Sequence, residues 1–177
     1  MRWGLIVVLL LAALLPSVTR ATPTHTAACS AAHEPTALPK QKLPAKVAAM
    51  RQAIVKAAVA CDYAKLQQLG GRTFTFSYGS GMSAATYWRT LEAKKIDRPM
   101  QRLVRILSLR VTRNETGAYA WPSAYTDKPT AADWNALVAG GVYTRAEVTR
   151  MQRGNVYYGY RTAILANGDW QFFVAGD

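Results

Sequence analysis

The chain has 177 residues, with 22 Lys and Arg against 10 Asp and Glu, two His and two Cys, and half of it is apolar. That length suits one domain with a tail, and the apolar fraction excludes a wholly disordered chain. No collagen triplet, heptad array or solenoid-length repeat runs through it, so fibrous and repeat architectures are excluded as well.

Arg2 precedes the apolar run Leu5–Leu15, which ends at Pro16, and Thr19 and Ala21 place small residues around Arg20. This pattern reads as a secretory signal peptide over 1–21, cut near Ala21. The run is too short for a bilayer core, which needs about 20 helical residues, and no second run follows. A secreted or periplasmic protein without a transmembrane anchor is expected. Cleavage removes Arg2 and Arg20 but no acid, so the mature chain stays strongly basic. Residues 22–43 are rich in Thr, Ala and Pro, hold both His25 and His33, and read as a flexible linker.

A single α+β domain is expected over 44–177. Pro44 suits a helix start, and Val47, Met50, Ile54, Ala57 and Ala58 recur at helical spacing. Asp62 caps a second, short helix stopped by Gly70-Gly71. Residues 72–78 alternate, with Phe74, Phe76 and Tyr78 on one face, as in a half-buried strand. Ser83 caps a helix through Trp88 and Leu91, and Pro99–Leu107 forms the next. A strand is expected near Ala118–Trp121 and a helix over Asp133–Val138, and Thr144-x-x-Glu147 is a capping box for another helix. Tyr157–Leu165 and Asp169–Val174 flank Asn167-Gly168, a hairpin signal. The order predicts N-terminal helices packed on a curved antiparallel sheet that ends in a C-terminal β-hairpin.

Three strings carry a resemblance: Tyr119-x-Trp121-Pro122, Tyr158-Gly159-Tyr160-Arg161, and Gly168-Asp169-Trp170-x-Phe172-Phe173-Val174-x-Gly176-Asp177. They are similar to those of uncharacterised secreted bacterial proteins. The element order resembles the nuclear-transport-factor-2-like (cystatin-like) α+β fold, whose sheet wraps a helix and leaves a pocket. The resemblance implies no established activity.

Two cysteines in an exported chain suggest a Cys29–Cys61 disulfide; the alternative is a free Cys61 packed as a small apolar group. With both His in the linker, no Ser-His-Asp triad, Cys-His pair, HExxH or His-rich zinc site is expected in the domain. The acids are scattered over caps and turns, so no catalytic residue, metal or cofactor is assigned. Gly79-Ser-Gly81-Met-Ser-Ala84 matches a dinucleotide fingerprint, but the preceding segment alternates Thr and Phe, unlike a buried parallel strand, and a Gly-rich turn into a capped helix is the better reading.

Two features point to binding. Met100, Leu103, Val104 and Leu107 occupy one side of the helix near 98–108, and Arg98, Arg102 and Arg105 the other, with no acid from 98 to 113. Such a face attracts anionic envelope polymers, lipid headgroups or acidic partners; nucleic acid lies in the wrong compartment. The second feature is Arg161. A two-residue turn pairs Leu165 with Trp170 and Arg161 with Val174, placing Arg161 on the Trp170, Phe172 and Val174 face and Tyr158, Tyr160, Thr162 and Phe173 on the other. Either Arg161 pairs with Asp177 or another carboxylate, or stacks on a Trp ring, or it is a pocket cation with Tyr158, Tyr160 and Trp170 as walls. The expected function is a non-catalytic exported binding or accessory protein. A small-ligand pocket protein or enzyme using Arg161 and a buried carboxylate is the alternative.

Overall fold

Short polar side chains set the helix starts as their local chemistry requires. The Asp62 and Ser83 side chains accept from the amides of Lys65 and Thr86, and full capping boxes join Thr130 to Asp133 and Thr144 to Glu147. The computed structural model describes residues 29–154 and 156–176; the expected signal peptide lies outside them. The helices and strands in chain order are α1 (Ala45–Val59), α2 (Tyr63–Gly70), α3 (Ala84–Ala93), α4 (Pro99–Ser108), β1 (Thr112–Arg113), β2 (Tyr119–Trp121), α5 (Ala131–Ala139), α6 (Arg145–Arg153), β3 (Arg161–Ile164) and β4 (Trp170–Val174). Among the described residues, no helix is long and apolar enough to cross a membrane. The expected α+β class, with helices preceding an antiparallel sheet that closes in a hairpin, is what the chain adopts.

The sheet is an antiparallel meander in the order β1-β2-β3-β4, with α5 and α6 inserted between β2 and β3. Its two faces differ. Trp121, Ile164, Trp170 and Phe173 join the main core with α1–α4. The opposite face carries a small cluster of Ala118, Ala120 and Ala163 under Tyr125, Leu165 and Phe172. α4 is the most enclosed helix, burying Pro99, Met100, Leu103, Val104, Ile106 and Leu107.

The hairpin loop is one residue longer than a two-residue turn. The Gly168 amide donates to the Leu165 carbonyl and the Leu165 amide to the Asp169 carbonyl, each at 2.9 Å, with Gly168 at φ +97. This is a three-residue loop with a left-handed glycine, and the extra residue emerges as an irregularity beside Ala163 and Ile164. Arg161 still faces Val174, and Ala163 faces Phe172, but Trp170 faces Ile164 instead of Leu165. The shift turns Trp170 to the helix side, where its Nε1–H donates to Thr162 Oγ1 at 2.7 Å.

Residues 72–78 form an extended segment instead of a full strand. Thr75 alone pairs, in parallel, with the edge of β4: its amide donates to Gln171 O and its carbonyl accepts from Phe173 N. Phe74 packs on Trp170 and Trp88, and Phe76 on Trp88 and Tyr87. Tyr78, expected on the same face, is 64% exposed, because nothing beyond Thr75 holds the segment against the sheet.

Residues 29–43, expected to be linker, run instead as a strap along α4. Cys29 is bridged to Cys61, and Ala31 is fully buried. The Ser30 amide and hydroxyl donate to Glu92, and Ser30 Oγ and Glu92 Oε1 in turn accept from the Gln101 and Met100 amides, filling the open N-terminus of α4. Glu34 takes Gln101 and Arg105, and Gln41 bonds Leu109 and Val111 beyond the other end of α4. Polar side chains reaching distant partners, which no periodicity records, order this segment. The bridge spans 32 residues, and its loss through a Cys29→Ser, Cys61→Ser double variant is expected to cost about 3–4 kcal/mol in the chain-entropy account. Denaturant unfolding with and without reductant checks this, the double variant being insensitive to reductant.

Asp133 ties a second corner together. It is buried and accepts from the Ser123 and Thr130 hydroxyls, the Thr130 amide and Arg110. Burial alone would raise its carboxyl, but these donors outweigh it and hold the group well below its usual 3.8. A carboxyl lowered on folding contributes stability that is fully present above about pH 4 and is lost as pH falls through the lowered value. Asp133→Asn is therefore expected to cost about 2–3 kcal/mol at neutral pH and to flatten the loss of stability in acid. Urea midpoints measured at neutral and acid pH report both effects.

Candidate functional site

The turn between α3 and α4 has an unusual backbone: Lys95, Asp97 and Arg98 all adopt positive φ, at 56°, 56° and 46°. Non-glycine residues hold that conformation when their surroundings over-determine it. Arg102, one turn into α4, does so here. Its Nε donates to Asp97 O at 2.8 Å, Nη1 to Val142 O at 2.6 Å and Nη2 to Glu147 Oε1 at 3.4 Å. The guanidinium also lies over the Tyr143 ring at 4.3 Å. One side chain thus joins the α3–α4 turn, the α5–α6 corner and α6.

Two tyrosine hydroxyls build the facing wall. The Tyr160 amide donates to Tyr143 Oη at 2.6 Å, and Tyr157 Oη donates to the Tyr160 carbonyl at 2.7 Å. Both backbone groups of Tyr160 are therefore held by side chains just before β3 begins. The Tyr160 ring stacks on Phe173 at 5.1 Å. Gly159 is required by this arrangement, because a Cβ there would lie 2.7 Å from Tyr143 Oη and 2.8 Å from Tyr157 Oη.

Between these walls lies an open cavity of about 430 Å³, bordered by Asp97, Arg102, Tyr143, Glu147, Tyr158 and Tyr160. A second depression of about 450 Å³ shares Asp97, Arg102, Tyr143 and Glu147 and extends along Lys95, Arg98 and Arg105. A third, of about 500 Å³, shares Asp97 and Tyr160 and extends to Tyr78 and Gly79. Asp97 borders all three, so they form one branched groove at the end of the β3–β4 hairpin opposite its turn.

Burial above all, and then the Asp97 carboxylate, pushes the Tyr160 phenol up, so it remains a hydrogen-bond donor at neutral pH. Burial also raises Tyr143 and raises Tyr157 well above its usual range. Burial would raise Glu147 too, but the Thr144 amide and hydroxyl together with Arg102 hold it below the ordinary carboxylate value. The groove thus offers cations, two carboxylates and protonated phenols. Among the described residues, no group of three or more His, Cys, Asp and Glu could hold a metal ion.

The residues singled out from sequence are distributed unevenly around this groove. Tyr158 and Tyr160 line it; Arg161 and Trp170 do not. Arg161 lies on the alanine face, where its Nη1 donates to Gly176 O at 2.7 Å and the guanidinium sits 5.3 Å from the Tyr125 ring. Among the described residues, carbonyls and the Tyr125 ring meet it; Asp177, the expected partner, lies outside them. Trp170 is buried on the other face through the hairpin irregularity. Arg102 borders the cavity, and Arg98 and Arg105 border its adjoining arm.

The arginine stripe is not the bare cationic face that its own sequence suggests. Arg102 meets Glu147, Arg105 meets Glu34 and Gly141 O, and Arg110 meets Asp133. Arg98 is exposed and makes no ion pair among the described residues. Asp97, Tyr143 and Glu147 went unrecognised as groove residues. The capping box marked Glu147, whose second oxygen is the one that reaches Arg102. Comparison of the chain with protein-family models, curated proteins and solved structures found no match.

Gly159→Ala is expected to lower stability by about 1–3 kcal/mol and to loosen the tyrosine wall. Thermal unfolding and the near-ultraviolet dichroism of the tyrosines check both effects.

Proposed function

We propose that this is an exported, non-catalytic binding protein of the cell envelope or extracellular space, holding an anionic polymer in the branched groove. The observation that carries this reading is the charge lining the groove. Lys95, Arg98, Arg102, Arg105 and Arg150 border it against Asp97 and Glu147, and one of these acids is already taken by Arg102. Lys95, Arg98 and Arg150 are exposed and in no ion pair among the described residues, so their charge is available to a ligand. The formal net charge of +12 over the full sequence, which stays strongly positive without Arg2 and Arg20, supports the same reading. The Cys29–Cys61 bridge supports an oxidising compartment, in keeping with a signal peptide over 1–21. The likeness to uncharacterised secreted bacterial proteins, which rests on the strings that include Tyr158–Arg161 and Gly168–Asp177, and the likeness of the element order to the nuclear-transport-factor-2-like fold both belong to this proposal.

The test is retention on an immobilised polyuronate across a salt series. The protein is expected to bind at low ionic strength and to elute as screening increases. A Lys95→Ala, Arg98→Ala, Arg150→Ala triple variant should bind about tenfold more weakly, each exposed cation contributing a fraction of a kcal/mol. Absence of retention at low salt, or co-elution of the triple variant with the parent, overturns the reading.

A further inference from the structure

We infer that the polymer held in the groove is a polysaccharide, its sugar rings resting on Tyr78 and Tyr158 and its hydroxyls donating to Asp97; this rests on the binding reading of the same groove. The chain has nine tyrosines. Tyr87, Tyr125, Tyr143, Tyr157 and Tyr160 pack against other aromatic rings, and Tyr63 and Tyr119 lie under Arg89 and Arg113. Tyr78 and Tyr158 alone have neither kind of contact, and among the described residues neither hydroxyl is hydrogen-bonded. They are 64% and 39% exposed, and both border the groove, Tyr158 in the cavity with Arg102 and Tyr160, and Tyr78 in the arm beside Gly79.

A phenol ring left open in a groove presents a flat apolar face with a wet rim. The complementary surface is the C–H face of a sugar ring, which is apolar across its plane and polar at its edge. Among the described residues no tryptophan serves in this way, since Trp88, Trp121, Trp134 and Trp170 are all buried. The second observation is Asp97. Asp97 borders all three branches of the groove, makes no ion pair among the described residues, and its charge, after burial, helps raise the Tyr160 phenol. A polyanion without donors of its own, such as a polyphosphate or an acidic polypeptide side chain, is repelled at that point. A sugar hydroxyl donates to the carboxylate and can accept from the Tyr160 phenol beside it. Lys95, Arg98 and Arg150 then meet carboxylates or phosphates borne by the same chain. Aromatic platforms, a central acceptor and peripheral cations together describe an acidic glycan better than any donor-free polyanion.

The experiment titrates three probes against the disulfide-bonded protein by calorimetry: a hexauronate, a neutral chitohexaose, and polyglutamate of matched charge. Tyr78→Ala and Tyr158→Ala remove exposed rings, so unchanged melting temperatures verify the fold of each variant. The expected result is hexauronate binding that weakens about tenfold in each variant, with polyglutamate binding weaker than hexauronate and untouched by either substitution. Equal binding of hexauronate and polyglutamate, indifferent to both tyrosines, overturns the glycan assignment and leaves the anionic reading standing. Chitohexaose binding as tightly as hexauronate, with no salt dependence and the same tyrosine losses, supports the glycan and overturns the anionic reading. Failure of all three probes to bind at low ionic strength overturns both.

Discussion

The carbonyl oxygen of Leu107, in the last turn of α4, accepts two hydrogen bonds from Arg51, from Nε at 2.9 Å and Nη2 at 2.6 Å. Arg51 is 4% exposed, and among the described residues no carboxylate pairs with it. Its third contact is Pro39 O in the strap, and its guanidinium lies 5.7 Å from the Trp121 ring. Burial lowers the group only to about 10, so it remains a cation at neutral pH. A buried charge without a counter-ion is costly unless fixed dipoles replace its water, and the carboxyl end of a helix supplies such dipoles. Arg51 therefore fastens α1, the strap and β2 to one end of α4, while Ser30 and Glu92 close the other end. With both ends of α4 held, Arg102 and Arg105 project at fixed angles, and the α3–α4 turn keeps its left-handed residues.

That arrangement explains which parts of the molecule were legible in the sequence. Caps and helix starts are settled by side chains within three residues of the amides they serve, so Asp62, Ser83 and the Thr144–Glu147 box could be read directly. So could the hairpin from Asn167-Gly168, while the cysteine count and the expected export left a Cys29–Cys61 bridge beside a free Cys61, and the fold has the bridge. The loop length at that hairpin was not legible. Asn-Gly fits both a two-residue turn and a three-residue loop with a left-handed glycine, and the difference transfers Trp170 from one face of the sheet to the other.

The strap and the groove depend on contacts far apart in the chain. Residues 29–43 read as a linker because the apolar groups they pack on the core, Cys29, Ala31, Ala32, Leu38 and Leu43, follow no period; Ser30, Glu34 and Gln41 also order them by reaching α3, α4 and the segment beyond. The arginine stripe looked bare for the same reason, its acids lying at Glu34 and Glu147 on either side of it in the sequence. Arg161 stood out in sequence as a lone charge between apolar neighbours. In the fold it faces a shallow alanine layer, where carbonyl oxygens suffice. Tyr158 and Tyr160 were named from sequence as walls of an Arg161 pocket, and in the fold they border a groove that Arg161 does not line. Asp97 carried no pattern at all, since its position depends on a turn that Arg102 holds from inside the following helix.

The cations of this protein divide into two populations with different physics. Arg51, Arg102 and Arg105 are bound to carbonyl oxygens at short distances and are partly or fully removed from water. Mobile ions barely reach such contacts, and the backbone they organise keeps its geometry as ionic strength changes. Lys95, Arg98 and Arg150 project into solvent around that frame, where added salt screens their field. The first population sets the shape of the groove and the second sets its charge. On the binding proposed for this groove, added salt weakens capture while leaving the groove's backbone intact, and the affinity that survives high salt measures what Tyr78, Tyr158 and Asp97 contribute.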